Sequence, residues 1–342
     1  MAIIFSNGFA DNIGSKWYND PLRITIARLS DAATEISKIC ARGALEENFG
    51  DDVGELNSDG DVQKSLDIRS DDLITKALFD SPVAFYASEE QEDILTLDIE
   101  AKLAVACDPL DGSSNINTNV SIGTIFSIYP STENPETSFL RCGVEQIAAG
   151  FFVYGPQTTL VVTTGDGTEL YTLDPEDCVF KLSIAEMSIA KSSTEFAINA
   201  SNHRHWPAPI SSFIDDCLRG GEGPLACDHN MRWIGSLVAD ANRILIRGGI
   251  FLYPDDERHG YGEGRLRLLY EANPVAFVVE QAGGIATDGG IRILGKTVRT
   301  LHQRVPLVFG SQEPVHLVAK YHHQKAVRND AAPLFNKRGL FR

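Results

Sequence analysis

One stretch restricts the fold of this chain more than any other: the apolar run LAVAC (103–107) leads directly into CDPLDGSSN (107–115). The apolar run predicts a buried strand that delivers Asp108 at its carboxyl end, where ligand sites lie in layered α/β folds. Pro109 stiffens the turn, and Asp111 follows three residues after Asp108, so that two carboxylates can converge on one point. The chain is therefore predicted to be a layered α/β protein with a polar site at a strand end.

The N-terminal half combines helices with short strands. A helix is predicted from about Asp20 to Glu47, with Asp20 as N-cap and Pro21 at the first helical position, where a missing N–H costs nothing. The polar segment 50–61 is predicted to be a mobile loop, and Ser70–Phe79 a second helix. Short apolar runs predict strands at 103–107, 122–129, 150–154 and 159–164. A GPQ turn joins the last two, which are expected to form an antiparallel hairpin.

Beyond residue 210, helical and extended patterns alternate. Helices are predicted at 211–218 and 236–246, a strand at 249–254, and a helix that Asn273 caps and Gly283 ends. The sequence near 183–210 is polar and irregular, and a domain boundary is predicted there. The predicted units are an N-terminal domain (1–190), a C-terminal domain (191–325) and a basic tail (326–342).

The charge balance excludes several classes of partner. The chain carries 47 acidic and 30 basic side chains, a formal charge of −17. Nucleic acids and anionic membranes both need a positive footprint, so neither is expected as a partner. The longest apolar runs are too short to span a bilayer, the N-terminus lacks the pattern of a secretory signal, and six cysteines occur without any CxxC pair. These features predict a cytoplasmic protein with free thiols.

The CDPLDGSSN stretch also carries the chemistry. Two carboxylates and a backbone carbonyl such as that of Leu110 are hard oxygen ligands that suit Mg²⁺ or Mn²⁺. Gly112, Ser113 and Ser114 then offer N–H groups and hydroxyls at a predicted helix start, where an anion binds well. The alternative is an Asp-rich turn whose side chains only cap the backbone. The full nine-residue string after a buried strand favours a metal and phosphate site.

Three motifs give the chain a family resemblance. DPLDGSSN resembles the signature of the lithium-sensitive, magnesium-dependent sugar and inositol phosphatases. Together with GGIFLYP (248–254) and RLRLLYEANP (265–274), it makes nearly the whole chain similar to class I fructose-1,6-bisphosphatases. That resemblance implies an αβαβα sandwich of two domains that meet at the metal site. It also implies a homotetramer, in which Arg232 reaches a neighbouring subunit's active site.

The resemblance assigns site residues position by position. More than one Mg²⁺ per subunit, with Mn²⁺ as an alternative, is expected at Glu89, Glu90, Asp108, the Leu110 carbonyl, Asp111 and Glu271. Orientation and deprotonation of the attacking water are assigned to Asp61, Asp67 and Glu90. Substrate binding is assigned to Asp111, Gly112, Ser113, Ser114, Asn199, Asn202, Arg232, Trp233, Tyr253, Arg265 and Arg267. For Trp233 two interpretations stay open, a core aromatic or a phosphate donor through its indole N–H.

The implied reaction is hydrolysis of the 1-phosphate of fructose 1,6-bisphosphate by metal-activated water. One alternative is the same chemistry on sedoheptulose 1,7-bisphosphate, or on both sugars. Another alternative is an inositol or nucleotide phosphatase of the wider superfamily. An alternative of a different class is an inactive sugar-phosphate sensor, which could lose metal ligands without penalty, whereas every expected carboxylate is present here.

Overall fold

The computed structural model describes residues 20–46, 49–56 and 62–323, so Asp61 and the basic tail lie outside the described residues. The helices of this part are α1 (Pro21–Arg42), α2 (Ser65–Phe79), α3 (Pro135–Phe139), α4 (Ala208–Leu218), α5 (Leu237–Arg247), α6 (Asn273–Gln281) and α7 (Gln312–His323). Two irregular helices matter for the site: a 3₁₀ helix at Ser113–Thr118 and a π-helical turn at Leu268–Ala272.

The described residues also form strands. They are β1 (Asp52–Leu56), β2 (Val62–Lys64), β3 (Val83–Ser88), β4 (Leu95–Thr96), β5 (Leu103–Asp111), β6 (Ile122–Pro130), β7 (Ala148–Tyr154), β8 (Thr158–Thr163), β9 (Glu169–Asp174), β10 (Val179–Ile184), β11 (Glu195–Ala197), β12 (Asn230–Met231), β13 (Ile250–Tyr253), β14 (Leu266–Arg267), β15 (Ile285–Thr287), β16 (Arg304–Val305) and β17 (Leu307–Gly310). Eight of them form a sheet in the order β10-β9-β8-β7-β6-β5-β3-β4, which is antiparallel except for the β3–β5 pair. Five form a second, mixed sheet in the order β12-β11-β13-β17-β15.

The hydrophobic clusters of the described residues show how the layers stack. One cluster joins α1 and α2 to one face of the large sheet, through residues such as Ile36, Leu78 and Val105. A second fills the space between the sheets and contains α5 and α6. A third joins α4 and α7 to the outer face of the small sheet. The order helix, sheet, helix, sheet, helix confirms the predicted αβαβα sandwich. The outer helices bury one apolar face against a sheet, whereas α6, between the sheets, is buried at every position from 273 to 279.

Several predicted elements are confirmed with different limits. Asp20 caps α1, since its Oδ1 accepts the Leu22 N–H at 3.0 Å, but the helix ends at Arg42 rather than near residue 47. The second helix begins at Ser65, five residues earlier than predicted, because the Asp67 carboxylate accepts the Lys64 N–H at 2.8 Å and closes the first turn. The expected hairpin of 150–154 and 159–164 is confirmed, as β7 pairs antiparallel with β8.

Two predictions about local structure are wrong. The 50–61 segment is not wholly a loop, because β1 pairs antiparallel with β2. Asn273 does not cap α6: the π-helical turn continues directly into it, so helical structure begins at Leu268. An N-cap pattern in sequence cannot reveal this, because the preceding residues also bury their side chains and continue the backbone hydrogen bonding.

Candidate active site

Three buried carboxylates meet at the end of β5. Asp108 and Asp111 lie on that strand and Glu271 in the π-helical turn, and one carboxylate oxygen of each lies within 4.8 Å of the others. The strand runs through Asp111 rather than ending at Cys107, and its register against β6 is irregular between Asp108 and Asp111. Such an irregularity re-aims side chains and disrupts the ladder locally, which allows two carboxylates three residues apart to face one point.

The parallel neighbour of β5 supplies two more carboxylates. Glu89 and Glu90 directly follow β3, and the Glu89 N–H donates to the Cys107 carbonyl at 2.9 Å. Parallel strands end at the same edge of a sheet, so residues distant in sequence reach the same site. Both glutamates raise the pKa of Asp108, which shows that all five predicted metal-binding carboxylates share one electrostatic environment.

The cluster concentrates negative charge in a buried place. Burial raises the pKa of Asp108 well above its ordinary value, and the neighbouring carboxylates raise it further. Burial and the charge of Glu89 likewise raise the pKa of Glu271, whereas the charge of Arg267 lowers it. Burial also raises the pKa of Asp111 to about 6, against the hydrogen bond from the Val238 N–H at 3.0 Å.

These residues fit hard divalent cations. Buried like charges are costly unless cations neutralise them, and the Arg267 guanidinium lies 3.1 Å from the Glu89 carboxylate. The main-chain N–H of Arg267 also donates to the Glu271 carboxylate at 2.5 Å. Carboxylate oxygens without thiol or imidazole ligands in the group select Mg²⁺ or Mn²⁺ over softer metals. Leu110 lies in the irregular part of β5, where its carbonyl is a further candidate ligand.

Asp67 is placed beside this cluster by the start of α2. Its Oδ2 accepts the Lys64 N–H at 2.8 Å, while its Oδ1 has no hydrogen-bond partner within residues 20–46, 49–56 and 62–323. Burial raises the pKa of Asp67 to about 7, and the charge of Glu90 acts in the same direction. A buried carboxylate with one unpartnered oxygen can accept a proton from a substrate or water.

The loop after Asp111 is held against α5. Gly112 has a φ of 80°, a left-handed conformation that favours glycine, and the chain then enters the 3₁₀ helix that carries Ser113 and Ser114. The Asn115 amide donates to the Gly235 carbonyl at 2.9 Å, and the Val238 N–H donates to Asp111. The predicted helix start is therefore a 3₁₀ helix, braced against the first turn of α5.

Aromatic and cationic side chains adjoin the cluster on the C-terminal side. Trp233 stacks on Phe251 and Tyr253, with ring centroids 5.6 and 6.0 Å apart. The Arg265 guanidinium lies over the Tyr253 ring. Burial raises the pKa of Tyr253, the charge of Arg265 lowers it, and the charge of Glu271 raises it. The Trp233 indole N–H finds no acceptor in the part of the chain that the structure describes. Both interpretations of Trp233, packing and donation, therefore stay predictions.

Three of the predicted substrate residues follow strands of the small sheet. Asn199 follows β11, where its side chain accepts the Ser201 N–H at 3.2 Å, and Asn202 lies one turn further on. Because β11 and β13 are parallel, these residues share the sheet edge of Tyr253. The Arg232 guanidinium instead contacts Glu195 at 2.9 Å.

Several organising residues escaped the sequence reasoning. Asp240 is fully buried and accepts the N–H groups of Ile234 and Gly235 at 3.1 and 3.3 Å, which shapes the loop before α5. Tyr261 lies under Arg265 with 4.5 Å between the Arg265 Cζ and the ring centroid. An acidic residue in the first turn of a helix is common, so Asp240 carried no distinctive signal. Tyr261 lies among glycines and charged residues in a segment without hydrophobic periodicity, so nothing in the sequence indicated its role.

The fold and the site together define a class: a two-domain layered α/β protein with a buried carboxylate centre suited to divalent cations. Two family models match the chain, described as the N-terminal domain (residues 12–185) and the C-terminal domain (residues 189–323) of fructose-1-6-bisphosphatase. The chain belongs to the class 1 fructose-1,6-bisphosphatase family.

Individual relatives agree with this assignment. The chain is 55% identical over 320 residues to "Fructose-1,6-bisphosphatase class 1" of Methylorubrum extorquens, covering 93% of this chain and 92% of that protein. It is 53% identical to the protein of the same name from Paracoccus denitrificans, covering 94% and 96%. A crystal structure of Leishmania major fructose-1,6-bisphosphatase in holo form superimposes with a TM-score of 0.85 at 31% identity, covering 95% of this chain and 100% of that one.

Proposed function

We propose that the protein hydrolyses D-fructose 1,6-bisphosphate to D-fructose 6-phosphate and phosphate. The observation that carries this proposal is the meeting of Asp108, Asp111 and Glu271 in a buried centre, in a chain of this family. Each of these side chains is at least nine-tenths buried, so the charge that they hold is focused on a small volume. A strongly acidic protein can bind a doubly negative phosphate there only if cations intervene.

The roles proposed for the residues are those that the family resemblance implies, and their placement supports them. Glu89, Glu90, Asp108, Asp111, Glu271 and the Leu110 carbonyl would hold more than one Mg²⁺, with Mn²⁺ as an alternative. When bound, such ions supply charge neutralisation at the phosphoryl group and acidify water. Gly112, Ser113 and Ser114 would bind the phosphoryl oxygens, because they directly follow Asp111 on a braced loop. Tyr253, Arg265 and Arg267 would orient the sugar and its second phosphate.

Asp67 is proposed to handle the proton of the attacking water. Its Oδ2 is fixed by the Lys64 N–H, so the unpartnered Oδ1 has a defined direction in which to accept a hydrogen bond. The water oxygen forms the new bond to phosphorus while the bond from phosphorus to the sugar oxygen breaks. The water proton passes to Asp67 Oδ1, and the sugar oxygen takes up a proton from solvent.

A phosphate-release assay tests the function. Fructose 1,6-bisphosphate, sedoheptulose 1,7-bisphosphate and inositol 1-phosphate are each incubated with the protein and Mg²⁺, with and without EDTA. We expect release from fructose 1,6-bisphosphate that EDTA abolishes and excess Mg²⁺ restores. Preferential release from the seven-carbon sugar would instead favour the sedoheptulose alternative. Binding of both sugars without any phosphate release would favour the inactive sensor.

We further propose a cytoplasmic homotetramer in which Arg232 serves a neighbouring active site. Arg232 supports this because its side chain is 45% exposed and points to Glu195 rather than to its own carboxylate cluster. All six cysteines are free, which agrees with a reducing compartment. Within the described residues, no helix has the length and apolarity needed to cross a membrane. Sedimentation analysis tests the tetramer. The domain boundary near residue 190 stays a prediction.

A further inference from the structure

The loop between β13 and β14 places two arginines over one tyrosine ring. The Cζ of Arg265 lies 4.5 Å from the centroid of the Tyr261 ring, and the Cζ of Arg258 lies 4.9 Å from the same centroid. Arg265 also lies over Tyr253, with 5.8 Å between its Cζ and that ring's centroid. Guanidinium groups within about 6 Å of an aromatic centroid are attracted by the ring quadrupole. The rings of Tyr253 and Tyr261 therefore both contact the Arg265 guanidinium group.

The position of Tyr261 is fixed by the backbone of its own loop. The Tyr261 N–H donates to the Arg258 carbonyl at 3.0 Å, and the Tyr261 carbonyl accepts the N–H groups of Asp256 at 3.2 Å and Gly264 at 3.0 Å. These bonds close the loop on both sides of the tyrosine. Since they use only main-chain atoms, a change of the Tyr261 side chain leaves them in place.

The two arginines over this ring differ in their charge partners. Arg258 forms an ion pair with Asp256, which neutralises its charge. Arg265, among the described residues, has neither a carboxylate partner nor a hydrogen bond, and aromatic faces alone hold it. Contact with a π face leaves the N–H donors at the guanidinium rim available. The guanidinium group of Arg265 is thus held in place while its N–H donors stay available. It lies over Tyr253, the tyrosine near enough to Glu271 for the Glu271 charge to act on it.

We propose that Tyr261 is a positioning residue that holds Arg265 ready to bind a phosphate group of the substrate. The proposal rests on the proposed function, since it concerns how this chain binds a sugar bisphosphate. Tyr261 acts through Arg265 and does not itself bind substrate. The ring, and not the hydroxyl, carries the effect, because the quadrupole that attracts a cation belongs to the ring.

The test compares Tyr261→Leu, which removes the ring, with Tyr261→Phe, which keeps it. Steady-state kinetics on fructose 1,6-bisphosphate at saturating Mg²⁺ should show KM raised about threefold to tenfold in Tyr261→Leu, with kcat within about twofold of the unmodified chain. Tyr261→Phe should keep both parameters. If the melting temperature shows that Tyr261→Leu is poorly folded, Tyr261→Gln replaces it, because glutamine has a side chain of similar reach without a π face.

A second background separates positioning from a merely structural role. In an Arg265→Met protein, Tyr261→Leu should change KM no further, because the residue that Tyr261 positions is gone. An unchanged KM in Tyr261→Leu, equal losses in the Phe and Leu variants, or an equal further loss in the Arg265→Met background would each overturn the proposal. If the unmodified chain releases no phosphate from the sugar bisphosphate, the proposed function fails and this inference with it. If the unmodified chain turns over the substrate normally and Tyr261→Leu leaves KM unchanged, this inference fails while the proposed function stands.

Discussion

At the scale of single residues, the centre is organised by the repulsion between buried carboxylates. Asp108, Asp111 and Glu271 lie buried within 4.8 Å of one another, and Arg267 contacts the neighbouring Glu89. Three buried carboxylates this close repel one another, so the cluster either takes up protons or binds metal ions. The substrate side is organised differently, by aromatic rings that stack on each other and on Arg265.

Removing the charge of Asp111 should abolish most of the activity. Asp111→Asn keeps an oxygen that can accept the Val238 N–H but removes one anionic metal ligand. We expect the fold to persist and kcat to fall by about two to four orders of magnitude, because charge neutralisation at the phosphoryl group is lost. Phosphate release and circular dichroism check this, with the exposed Asp72→Asn change on α2 as the matched control. Near-normal rates at saturating Mg²⁺ would show that Asp111 is not a metal ligand.

Replacing Trp233 by phenylalanine separates its two interpretations. Trp233→Phe keeps an aromatic ring to stack on Phe251 and Tyr253 but removes the unpartnered indole N–H. If the N–H donates to a substrate phosphate, KM should rise about tenfold, since hydrogen bonds to charged groups are strong. We expect that rise, together with a melting temperature close to that of the unmodified chain. A lower melting temperature with unchanged KM would identify Trp233 as a packing residue only.

At the scale of elements, the site depends on how closely α5 approaches the large sheet. Gly123 on β6 pairs with Asp111 on β5, and a Cβ at Gly123 would lie 2.1 Å from the Phe152 carbonyl oxygen and 2.5 Å from Val238. The missing side chain therefore lets the first turn of α5 reach the strand that carries the carboxylates. The same turn donates the Val238 N–H to Asp111, so packing and site geometry are coupled there.

A methyl group at Gly123 should disturb both stability and activity. Gly123→Ala forces backbone or helix shifts in a packed core, which typically cost about 1–3 kcal/mol. We expect a lower free energy of unfolding by denaturant titration and a reduced kcat, because Val238 and Asp111 move apart. Gly295→Ala is the control, as a Cβ there meets no atom within 4 Å. Equal stability of the two variants would mean that α5 is not tightly packed against β6.

At the scale of the whole molecule, a formal charge of −17 opposes compaction, and the buried cluster adds to that cost. The carboxylates are buried where the end of β5, the π-helical turn before α6 and the first turn of α5 meet. Under the proposed function, the folded state offers a divalent-cation site that the unfolded chain lacks. Such linkage makes global stability depend on the metal concentration.

Divalent cations should raise the melting temperature of the protein. We expect Mg²⁺ at about 100 times its dissociation constant to add about 2.7 kcal/mol of stability, a shift of several degrees. Differential scanning calorimetry measures the shift, and EDTA should reverse it. Potassium chloride at equal ionic strength controls for screening and should give a smaller shift. A melting temperature indifferent to Mg²⁺ in the unmodified chain but sensitive to salt would contradict a metal centre.

The sequence pattern predicted local structure where the signal was local. Asp20 and Pro21 identified the start of α1, and the apolar run at 103–107 identified a buried strand. It failed where a later contact redirects the chain, as at Asp67, whose side chain starts α2 early, and at Leu268, where a π-helical turn precedes α6. The Asp67 cap is a local signal that the pattern missed, whereas the π-helical turn depends on what its segment packs against.

The sequence alone determined the chemistry of the centre. Its acidic residues, the DPLDGSSN motif and the family that they indicate predicted hard oxygen ligands beside a phosphate loop. Only the tertiary structure decided that the parallel β3–β5 pair brings Glu89 near enough to raise the pKa of buried Asp108, that Glu271 enters from the π-helical turn, and that Tyr261 lies under Arg265. The physical reason is that residue types set what a site can bind, while the positions of distant segments follow from packing free energy summed over the whole core.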